Sequence, residues 1–348
     1  MNAALFASPA HLEAAFAQGL DAMLSTHDGL GVYILALANA AFDPALWTPL
    51  QARLAERHAR HAHALTATLR EGKRVQAPED DLMVFLKLMA MGFNAIRTPL
   101  WRNAGPWRIQ FNPLRALRPP RASQTRITTL QQPFDARGFH FNKPFLAKEI
   151  LWQGVLADKP VRLLYNKFPF APLHGLITPA PERNLPQWLT PEMHDWAWRC
   201  CAELGRNLPG LGLAYNSLGA QASVNHLHLQ SFMQADALPV CAPAFRHNGG
   251  STPYPIPCLR CDGLEQAWFE LDALHASGTP YNLVYRPDVL YLLPRRMQSE
   301  ATLPDWCAGM AWSELAGVMT VFNREDFDSL QEPGIMAALS ALAVPSFP

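Results

Sequence analysis

Apolar residues recur with helical spacing along the first hundred residues of the chain. Three stretches carry them three or four positions apart, namely residues 11–24, 45–70 and 79–91. This spacing predicts three amphipathic helices, each with one buried stripe. No nucleotide-binding motif occurs among them. We therefore expect residues 1–104 to form a helical layer and residues 105–348 to form the core that carries the chemistry.

Beyond this layer the pattern changes to short alternating runs. Runs that read as strands cover residues 107–113, 150–156, 161–165, 176–177, 211–217, 281–286 and 289–295. Helical spacing returns at residues 190–204, 265–275, 314–321 and 335–342. Thr190 followed by Pro191 is a typical helix start, since Thr caps the backbone and Pro suits the first turn. The chain therefore combines predicted strands and predicted helices.

One decapeptide, Q-A-S-V-N-H-L-H-L-Q, has the most informative alternation in the chain. In a β-strand, His226, His228 and Gln230 project from one face because they lie two residues apart. Leu227 and Leu229 then point to the opposite face and pack in the core. A helix would scatter the three polar groups around its axis. We therefore predict a strand that is anchored by one face and presents chemistry on the other.

These three side chains suit phosphoryl chemistry. Neutral imidazole is a nucleophile near neutral pH, since its ordinary pKa is about 6.5. A carboxamide donates hydrogen bonds to a phosphoryl oxygen without adding charge. Gln230 cannot protonate a leaving group, whereas a third histidine could, and this difference favours group transfer over hydrolysis.

The decapeptide resembles the H-x-H-x-Q signature of the histidine-triad superfamily, in its transferase branch. Within that branch it is most similar to the GDP-hexose phosphorylases and diadenosine tetraphosphate phosphorylases, with galactose-1-phosphate uridylyltransferase a more distant relative. The resemblance implies an α+β fold, with a histidine-triad-like antiparallel sheet as its core, flanking helices and an N-terminal helical layer. It also implies that His228 is the nucleophile that becomes nucleotidylated, that Gln230 donates to the phosphoryl oxygens, and that His226 is the supporting histidine.

The same resemblance assigns neighbouring substrate-binding candidates. Ser223 falls at the small hydroxyl position that contacts phosphate in these families. Asn225 is a further candidate for substrate binding. Gln221 stands where the usual G-A-S run has glycine, which changes how closely the backbone can approach a phosphate.

A second segment, N-K-F-P-F-A-P-L-H-G-L-I from residue 166, is similar to the N-K-F-P…P-x-H-x-L block of these families. Its prolines exclude a helix and force an extended or turning chain. Asn166 offers a hydrogen-bonding fork for phosphate or ribose, and Lys167 offers a point charge; the alternative for Lys167 is a solvated strand end. We expect His174 to be a hydrogen-bonded core histidine rather than a catalytic one.

Four arginines follow the predicted strand at residues 107–113 and stand at positions 115, 118, 121 and 126. The Q-F-N-P-x-R run resembles a segment found upstream of N-K-F-P in bacterial relatives. Arg115 and Arg121 are candidates to grip a polyphosphate through guanidinium forks, and a solvent-exposed basic loop is the alternative. The hairpin from residue 281 to 295 is similar to the returning P-Y-N-L-x…PR hairpin of the phosphorylases. Asn282 and Arg295 either approach the substrate there or belong to an ordinary strand end.

Composition limits the choice of partners and compartment. The chain has 348 residues, 49% hydrophobic and 17% charged, with 29 acidic and 29 basic residues. A balanced charge gives no global attraction to nucleic acid. The six cysteines lack the density of a secreted scaffold. Residues 1–10 show no signal-peptide pattern and no eighteen-residue apolar stretch follows. We expect a cytoplasmic protein with no membrane partner.

Two groups of residues raise the question of metal binding. His58 and His61 lie one helical turn apart, but a solvated polar face is the simpler interpretation. Cys258 and Cys261 form a lone C-x-x-C, which needs two more ligands such as Cys241 and His247. We expect no structural zinc, no metal ligands at the active site and no required cofactor, although Mg²⁺ is compatible with a polyphosphate substrate.

These features together predict a nucleotidyltransferase of the phosphorylase type. Its substrate is a nucleoside polyphosphate or nucleotide-sugar, cleaved at the α-phosphorus, and its acceptor is inorganic phosphate or a sugar phosphate. Two alternatives stay open: a hydrolase with the same nucleophile, and a non-catalytic nucleotide-binding protein.

Overall fold

The computed structural model describes residues 3–119, 127–307 and 309–344. Its first part is a helical layer made of α1 (Pro9–Thr26), α2 (Leu30–Phe42), α3 (Pro44–Arg70) and α4 (Glu79–Met91). Helices α1, α3 and α4 are the three that the sequence predicts. Helix α2 is additional, and it has no polar face because it is surrounded by the other helices and the sheet. A helix buried on all sides shows no amphipathic stripe by which to recognise it.

An antiparallel sheet of eight strands follows, as predicted. Its strands are β3 (Ile150–Leu156), β4 (Lys159–Tyr165), β5 (Gly175–Pro179), β6 (Leu211–Asn216), β7 (Leu229–Met233), β8 (Leu259–Cys261), β9 (Tyr281–Arg286) and β10 (Val289–Pro294). Their spatial order is β3-β4-β5-β7-β6-β9-β10-β8. The hairpin β9–β10 continues the sheet beside β6, as the sequence resemblance implies. Strand β7 is central, with β5 on one side and β6 on the other.

A second, smaller sheet contains β1 (Leu100–Ala104), β2 (Trp107–Phe111) and β11 (Val318–Val321). The prediction of a helix over residues 314–321 is wrong, because only Trp312–Leu315 forms a short helix, α7. The next residues pair in parallel with β2, with Val318 opposite Arg108. This pairing joins segments some 200 residues apart in sequence, which local spacing does not reveal. The β1–β2 hairpin crosses the predicted boundary at residue 104, and the division into domains stays a prediction.

The remaining helices are α5 (Pro191–Gly205), α6 (Leu264–Ser277), α8 (Arg324–Ser329) and α9 (Glu332–Ser340). The predicted start of α5 is confirmed, since the side chain of Thr190 accepts a hydrogen bond from the backbone N–H of Met193. Among the described residues, no helix combines the length and the apolar character that crossing a bilayer requires.

The two faces of the large sheet are covered differently. On its first face, side chains such as Leu163, Leu213 and Leu283 pack with α1 to α6 in one continuous core. On its second face, Ala214, Phe232 and similar residues pack against the small sheet and the C-terminal helices. Neighbouring residues of a strand point to opposite faces. Gln230, which lies two residues before Phe232, therefore belongs to the second face.

Candidate active site

Most of the decapeptide lies outside the sheet. Strand β7 begins at Leu229, so His226 and His228 precede it and only Gln230 is a strand residue. The prediction that all three occupy one β-strand is thus wrong. The predicted alternation nevertheless holds, since Leu227 and Leu229 are both fully buried in the first-face core. The polar side chains are directed to the second face.

A single side chain replaces the missing strand partner of His228. The carboxamide of Gln187 accepts from the backbone N–H of His228 at 2.9 Å and donates to its carbonyl oxygen at 3.1 Å. The same amide nitrogen donates to the carbonyl oxygen of Asn216 at 3.0 Å. A carboxamide presents the same donor and acceptor as a peptide group. Gln187 therefore fixes the backbone of His228, which lies just before the first residue of strand β7.

The ring of His228 is held in one tautomer. Its Nδ1 lies 2.8 Å from the carbonyl oxygen of His226, and a carbonyl only accepts, so Nδ1 carries the proton. The lone pair of the neutral ring is then on Nε2. The side chain is buried, with 6% of the residue exposed. This arrangement gives Nε2 a defined orientation.

His226 has a different environment. Its Nδ1 accepts a hydrogen bond from the backbone N–H of Phe141 at 3.1 Å, so its own proton is on Nε2. Burial, and to a smaller extent the neighbouring His228, lower the pKa of His226 to about 4. The ring is therefore neutral at pH 7. It acts here as a support: its carbonyl oxygen orients His228 and its ring holds Phe141.

Residues 131–143, called here the cover segment, lie over both histidines. The side chain of Asn225 donates to the carbonyl oxygen of Pro133 at 2.8 Å and ties this segment down. The ring of Phe141 lies 5.7 Å from that of His226 and 4.9 Å from that of His228. Phe141 thus shields the two imidazoles from solvent.

Phe141 also lines a cavity of about 700 Å³. Its wall combines the aromatic rings of Phe141 and Trp152 with the cations Lys143 and Arg162, and none of its lining residues is acidic. Arg162 donates to the side-chain oxygen of Asn142 at 2.6 Å. A cavity with apolar walls and two cations has the chemistry that an anionic molecule with a flat ring requires.

The carboxamide of Gln230 is clamped by two donors. The indole N–H of Trp312 donates to Oε1 of Gln230 at 2.9 Å. His174 Nε2 lies 2.9 Å from the same oxygen. An indole N–H can only donate, so the atom that it contacts must be the oxygen rather than the amide nitrogen. The two donors therefore define which way the carboxamide faces.

His174 is a buried, hydrogen-bonded histidine, as expected. Its Nδ1 accepts from the backbone N–H of Phe170 at 3.3 Å, which leaves the proton on Nε2 for Gln230. Burial, followed by the positive charge of Arg115, lowers the pKa of His174 to about 3. The ring is therefore neutral over the physiological pH range, with Nε2–H as the donor to Gln230.

The Q-F-N-P-x-R run holds the N-K-F-P-F turn. Three consecutive carbonyl oxygens of the turn accept from three side chains of the run: Phe168 from Arg115 at 2.7 Å, Pro169 from Asn112 at 3.1 Å, and Phe170 from Gln110 at 3.1 Å. The guanidinium carbon of Arg115 also lies 4.2 Å from the ring centroid of Phe170. Burial lowers the pKa of Arg115 to about 9. These contacts give Arg115 a structural task, and its predicted phosphate contact stays a prediction.

Asn166 and Lys167 both contact the helical layer. The backbone oxygen of Asn166 accepts from Asn39 in α2, and its side-chain oxygen accepts from the backbone N–H of Phe168 at 3.1 Å. Lys167 forms an ion pair with Asp81 in α4. Lys167 is therefore not a solvated strand end. Its charge is partly neutralised, and the predicted substrate contacts of both residues stay predictions.

The other predicted binding residues are spread along the loop before the histidines. Ser223 is exposed, whereas Asn225 accepts from the backbone N–H of Gln187 at 2.9 Å and so serves the loop itself. Gln221 has a positive φ of 72°, the conformation in which glycine is favoured. Arg121 lies outside the described residues.

The returning hairpin contributes two buried residues. Asn282 donates to the side-chain oxygen of Asn216 at 2.6 Å, and Asn216 in turn accepts from the backbone N–H of Trp312 at 3.1 Å. Arg295 is fully buried and donates to the carbonyl oxygen of Met310. Both residues support the segment that carries Trp312.

The candidate metal ligands are engaged in other contacts. The prediction of a solvated face is wrong for His58 and His61, whose rings pack beside Phe85 with centroids 5.6 and 5.7 Å away. His247 Nε2 lies 2.7 Å from the carbonyl oxygen of Val240. Within the ranges that the structure describes, no group of three or more His, Cys, Asp or Glu side chains is arranged to hold a metal ion.

Three contributors to this site have no sequence signature. Gln187, Phe141 and Trp312 contact the histidines or Gln230 from 41 to 87 positions away along the chain. Gln187 and Trp312 are ordinary residues within their own local sequence. An alternating aromatic pattern, F-H-F at residues 139–141, is the one local hint that the cover segment packs on rings.

Comparison with known proteins identifies the segment that contains this site. Residues 106–232 match the family model described as GDPGP1-like, N-terminal domain. The chain is 38% identical over 124 residues to GDP-D-glucose phosphorylase 1 of Macaca fascicularis, which is 33% of this chain and 31% of that protein. It is 27% identical over 256 residues to GDP-L-galactose phosphorylase 2 of Arabidopsis thaliana, covering 61% and 59% of the two chains. The predicted resemblance is thus confirmed.

The extent of these matches is limited. The chain spans about a third of the length of the GDP-D-glucose phosphorylases of Macaca fascicularis and Homo sapiens. Among solved structures, yeast Ap4A phosphorylase Apa2 aligns with a TM-score of 0.49 and 15% identity, covering 79% of this chain and 98% of that one.

Proposed function

We propose that this chain is a nucleotide phosphorylase, supported by the match of residues 106–232 to the GDPGP1-like family model and by the identity to named GDP-hexose phosphorylases. The reaction cleaves a nucleotide-sugar or a nucleoside polyphosphate at the α-phosphorus. The acceptor is inorganic phosphate, so the products are a nucleoside diphosphate and the released sugar phosphate or nucleotide. The first observation in support is the hydrogen bond from His228 Nδ1 to the carbonyl oxygen of His226 at 2.8 Å.

The first half-reaction forms a covalent intermediate on His228. Its Nε2 lone pair attacks the α-phosphorus, the N–P bond forms, and the bond from phosphorus to the bridging oxygen breaks. That oxygen leaves with its electron pair as part of the sugar 1-phosphate, which is a stable anion and needs no protonation. This is consistent with Gln230 in place of a third histidine, since a glutamine cannot act as an acid.

The second half-reaction returns the enzyme to its starting state. An oxygen of inorganic phosphate attacks the same phosphorus and the N–P bond breaks, so that the electron pair returns to Nε2. The product is a nucleoside diphosphate. The hydrogen bond from Nδ1–H to the carbonyl oxygen persists through both steps and stabilises the positive charge on the ring of the intermediate. No proton has to be stored in the site between the two steps.

The charge that develops on the phosphoryl oxygens requires donors. We assign this role first to the amide N–H groups of Gln230, with Ser223, Asn225 and backbone amides of the same loop, including that of Gln221. Asn166, Lys167 and the arginines at positions 115 and 121 are further candidates for the distal phosphate. This scheme uses protein donors and calls for no resident metal, although Mg²⁺ is compatible with a polyphosphate substrate.

The cavity that Phe141 lines is where we expect the substrate to enter. Its aromatic residue Trp152 and its cations Lys143 and Arg162 suit a nucleobase and a pyrophosphate. Phe141 lines this cavity, and its ring centroid lies 4.9 Å from that of His228, so we infer that it stands between the substrate and the histidine. Substrate binding therefore includes a displacement of Phe141, which exposes Nε2 of the histidine only when the cavity is occupied. Such coupling excludes water from the covalent intermediate and favours transfer over hydrolysis.

A product assay tests the proposal. The full chain is incubated with GDP-glucose, GDP-galactose, GDP-mannose and diadenosine tetraphosphate, each with and without inorganic phosphate, and products are identified by mass. We expect a nucleoside diphosphate to form only when phosphate is present. Formation of the nucleoside monophosphate at the same rate with and without phosphate would identify a hydrolase instead.

A matched pair of histidine variants tests the nucleophile. His228→Ala should lower turnover by about a thousandfold or more with an unchanged unfolding curve. His63→Ala, which removes an exposed histidine of α3, should be as active as the unmodified chain. In the absence of phosphate, the intact mass should rise by one nucleotidyl group, in an acid-labile form, for the unmodified chain but not for His228→Ala. Activity retained by His228→Ala would contradict the mechanism.

A further inference from the structure

The carboxamide of Gln230 has two orientations, and its neighbours permit only one. In the observed orientation, Oε1 accepts from the indole N–H of Trp312 and from Nε2–H of His174, both at 2.9 Å. A rotation by 180° would turn the amide N–H groups toward these two donors. Donor would then face donor, and two buried hydrogen bonds would be lost at once.

Neither donor can adapt to a rotated amide. The N–H of Trp312 has no acceptor form. His174 could accept only if it moved its proton to Nδ1, but Nδ1 already accepts from the backbone N–H of Phe170 at 3.3 Å. A doubly protonated ring is excluded near neutral pH, because burial lowers the pKa of His174 to about 3. The side-chain nitrogen of Asn166 also lies 3.5 Å from Nδ1 and 3.3 Å from Nε2 of His174. The contact that fixes the carboxamide under either tautomer of His174 is therefore the indole N–H of Trp312.

The indole of Trp312 is itself immobile. Its ring stacks on Phe232 with centroids 4.5 Å apart and an interplanar angle of 21°. Its backbone N–H donates to the side-chain oxygen of Asn216 at 3.1 Å. Trp312 is among the largest fully buried side chains of the described residues. The donor that holds Gln230 is thus fixed at both its ring and its backbone.

The fixed oxygen determines where the amide N–H groups of Gln230 point. They are directed away from Trp312 and His174, and the side chain leaves the backbone on the same face as that of His228, two residues earlier. In the proposed reaction these N–H groups meet the phosphoryl oxygens as negative charge develops. A rotated amide would present its oxygen there instead, which repels that charge.

We propose that Trp312 is a positioning residue of the proposed phosphorylase reaction, acting with His174 to hold the carboxamide of Gln230 with its N–H groups toward the phosphoryl oxygens. The proposal rests on the proposed function for its chemistry. Trp312 lies 80 residues beyond the segment 106–232 that matches the family model. The proposal therefore gives the C-terminal part of the chain a role in the reaction.

Trp312→Phe removes the donor and keeps an aromatic ring for stacking on Phe232. We expect kcat for phosphorolysis to fall about tenfold and KM to change by less than about twofold, since the contact matters when charge develops on the phosphoryl group. In a chain that already carries Gln230→Ala, Trp312→Phe should not lower kcat any further, because the carboxamide through which Trp312 acts is absent. An equal loss in both backgrounds would assign Trp312 to packing alone and overturn the proposal.

Trp107→Phe is a matched control. Trp107 is also fully buried and belongs to the same core cluster, and its indole N–H has no hydrogen-bond partner among the described residues. The control should leave kcat and KM unchanged. If Trp312→Phe unfolds, the sulfur isostere benzothienylalanine at position 312 keeps the shape of the indole without its N–H. It should give the same tenfold loss, and full activity with the isostere would overturn the proposal.

A substrate-free measurement separates this inference from the proposed function. The side-chain ¹⁵NH₂ group of Gln230 should have an order parameter typical of a rigid group, which falls in Trp312→Phe and is unchanged in Trp107→Phe. If no substrate is turned over, the proposed function fails while this measurement still decides whether Trp312 orders the amide. An unchanged order parameter in Trp312→Phe would overturn the positioning role whatever the activity.

Discussion

The side-chain amide of Asn39 donates a hydrogen bond to the backbone oxygen of Asn166 at 2.9 Å, across 127 positions of sequence. Two neighbours of Asn166 are bound to the helical layer as well. The hydroxyl of Tyr165 donates to the carbonyl oxygen of Phe16 at 2.9 Å, and Lys167 pairs with Asp81. Three consecutive residues at the end of β4 are therefore attached to α1, α2 and α4. The helical layer fixes the turn whose other end carries His174.

Substitution of Asn39 by leucine tests this attachment. Leucine is similar in shape to asparagine but donates no hydrogen bond, so the buried oxygen of Asn166 loses its partner. We expect the free energy of unfolding to fall by about 1–3 kcal/mol in urea titrations. The same change at Asn207, an exposed residue after α5, should alter it by less than about 0.5 kcal/mol. Equal effects at both positions would show that the bond to Asn166 contributes nothing.

A buried histidine outside the site makes stability depend on pH. Burial lowers the pKa of His194 to about 4, and its Nδ1 lies 2.8 Å from the hydroxyl of Tyr285. In the unfolded chain the pKa of His194 is near its ordinary value of 6.5. Between pH 6.5 and 4 the unfolded chain therefore binds a proton at this residue and the folded chain does not. Stability from this residue is complete above pH 6.5 and is lost as the pH falls toward 4.

The comparison of the unmodified chain with His194→Gln measures this contribution. Between pH 7.5 and 5.5 the unmodified chain should lose about 1 kcal/mol more of its unfolding free energy than the variant does. Glutamine can still form a hydrogen bond with the hydroxyl of Tyr285. The two plots of unfolding free energy against pH should therefore differ more in slope than in their values at pH 7.5. Parallel curves would contradict the assignment of a neutral, buried His194.

Much of the fold follows from spacing along the chain, and the exceptions share one cause. Helices α1, α3, α4, α5 and α6 and most strands have one buried face, so the period of their apolar residues reveals them. Helix α2 is buried on every side and shows no period. Strand β11 is a four-residue run whose identity depends on its partner β2, far away in sequence. Tertiary contacts decide both elements.

The site divides along the same line. The alternation of Leu227 and Leu229 with the histidines is local and was sufficient to predict which side chains face the core. The support of His228 by Gln187 and of Gln230 by Trp312 is not local. These are single hydrogen bonds between distant, unremarkable residues, and nothing in their flanking sequence distinguishes them from other glutamines and tryptophans. Sequence therefore indicates the candidate reacting groups more readily than the groups that orient them.

The backbone at Gln221 gives a prediction for stability. Its φ of 72° lies in the left-handed region, where a side chain with a Cβ is strained and glycine is not. Gln221→Gly should therefore raise the free energy of unfolding by about 0.5–1 kcal/mol. Gln221→Ala is the control, since it removes the carboxamide packed beside Gly309 but keeps the Cβ. Equal stabilities of the two variants would show that the positive φ stores no strain.

The last prediction concerns the choice between phosphate and water as acceptor. Gln230→His places an ionisable imidazole where the carboxamide now accepts from Trp312. An imidazole can exchange protons with water or with the departing group, which a carboxamide cannot do. At saturating phosphate we expect the ratio of nucleoside monophosphate to nucleoside diphosphate to rise about tenfold. Gln230→Ala, which removes the donor without adding an acid, should slow both products and leave their ratio unchanged. If both variants gave the same product ratio as the unmodified chain, the absence of an acid at position 230 would not be the reason that phosphate is preferred to water. The exclusion of water by Phe141 and the cover segment would then have to account for that preference alone.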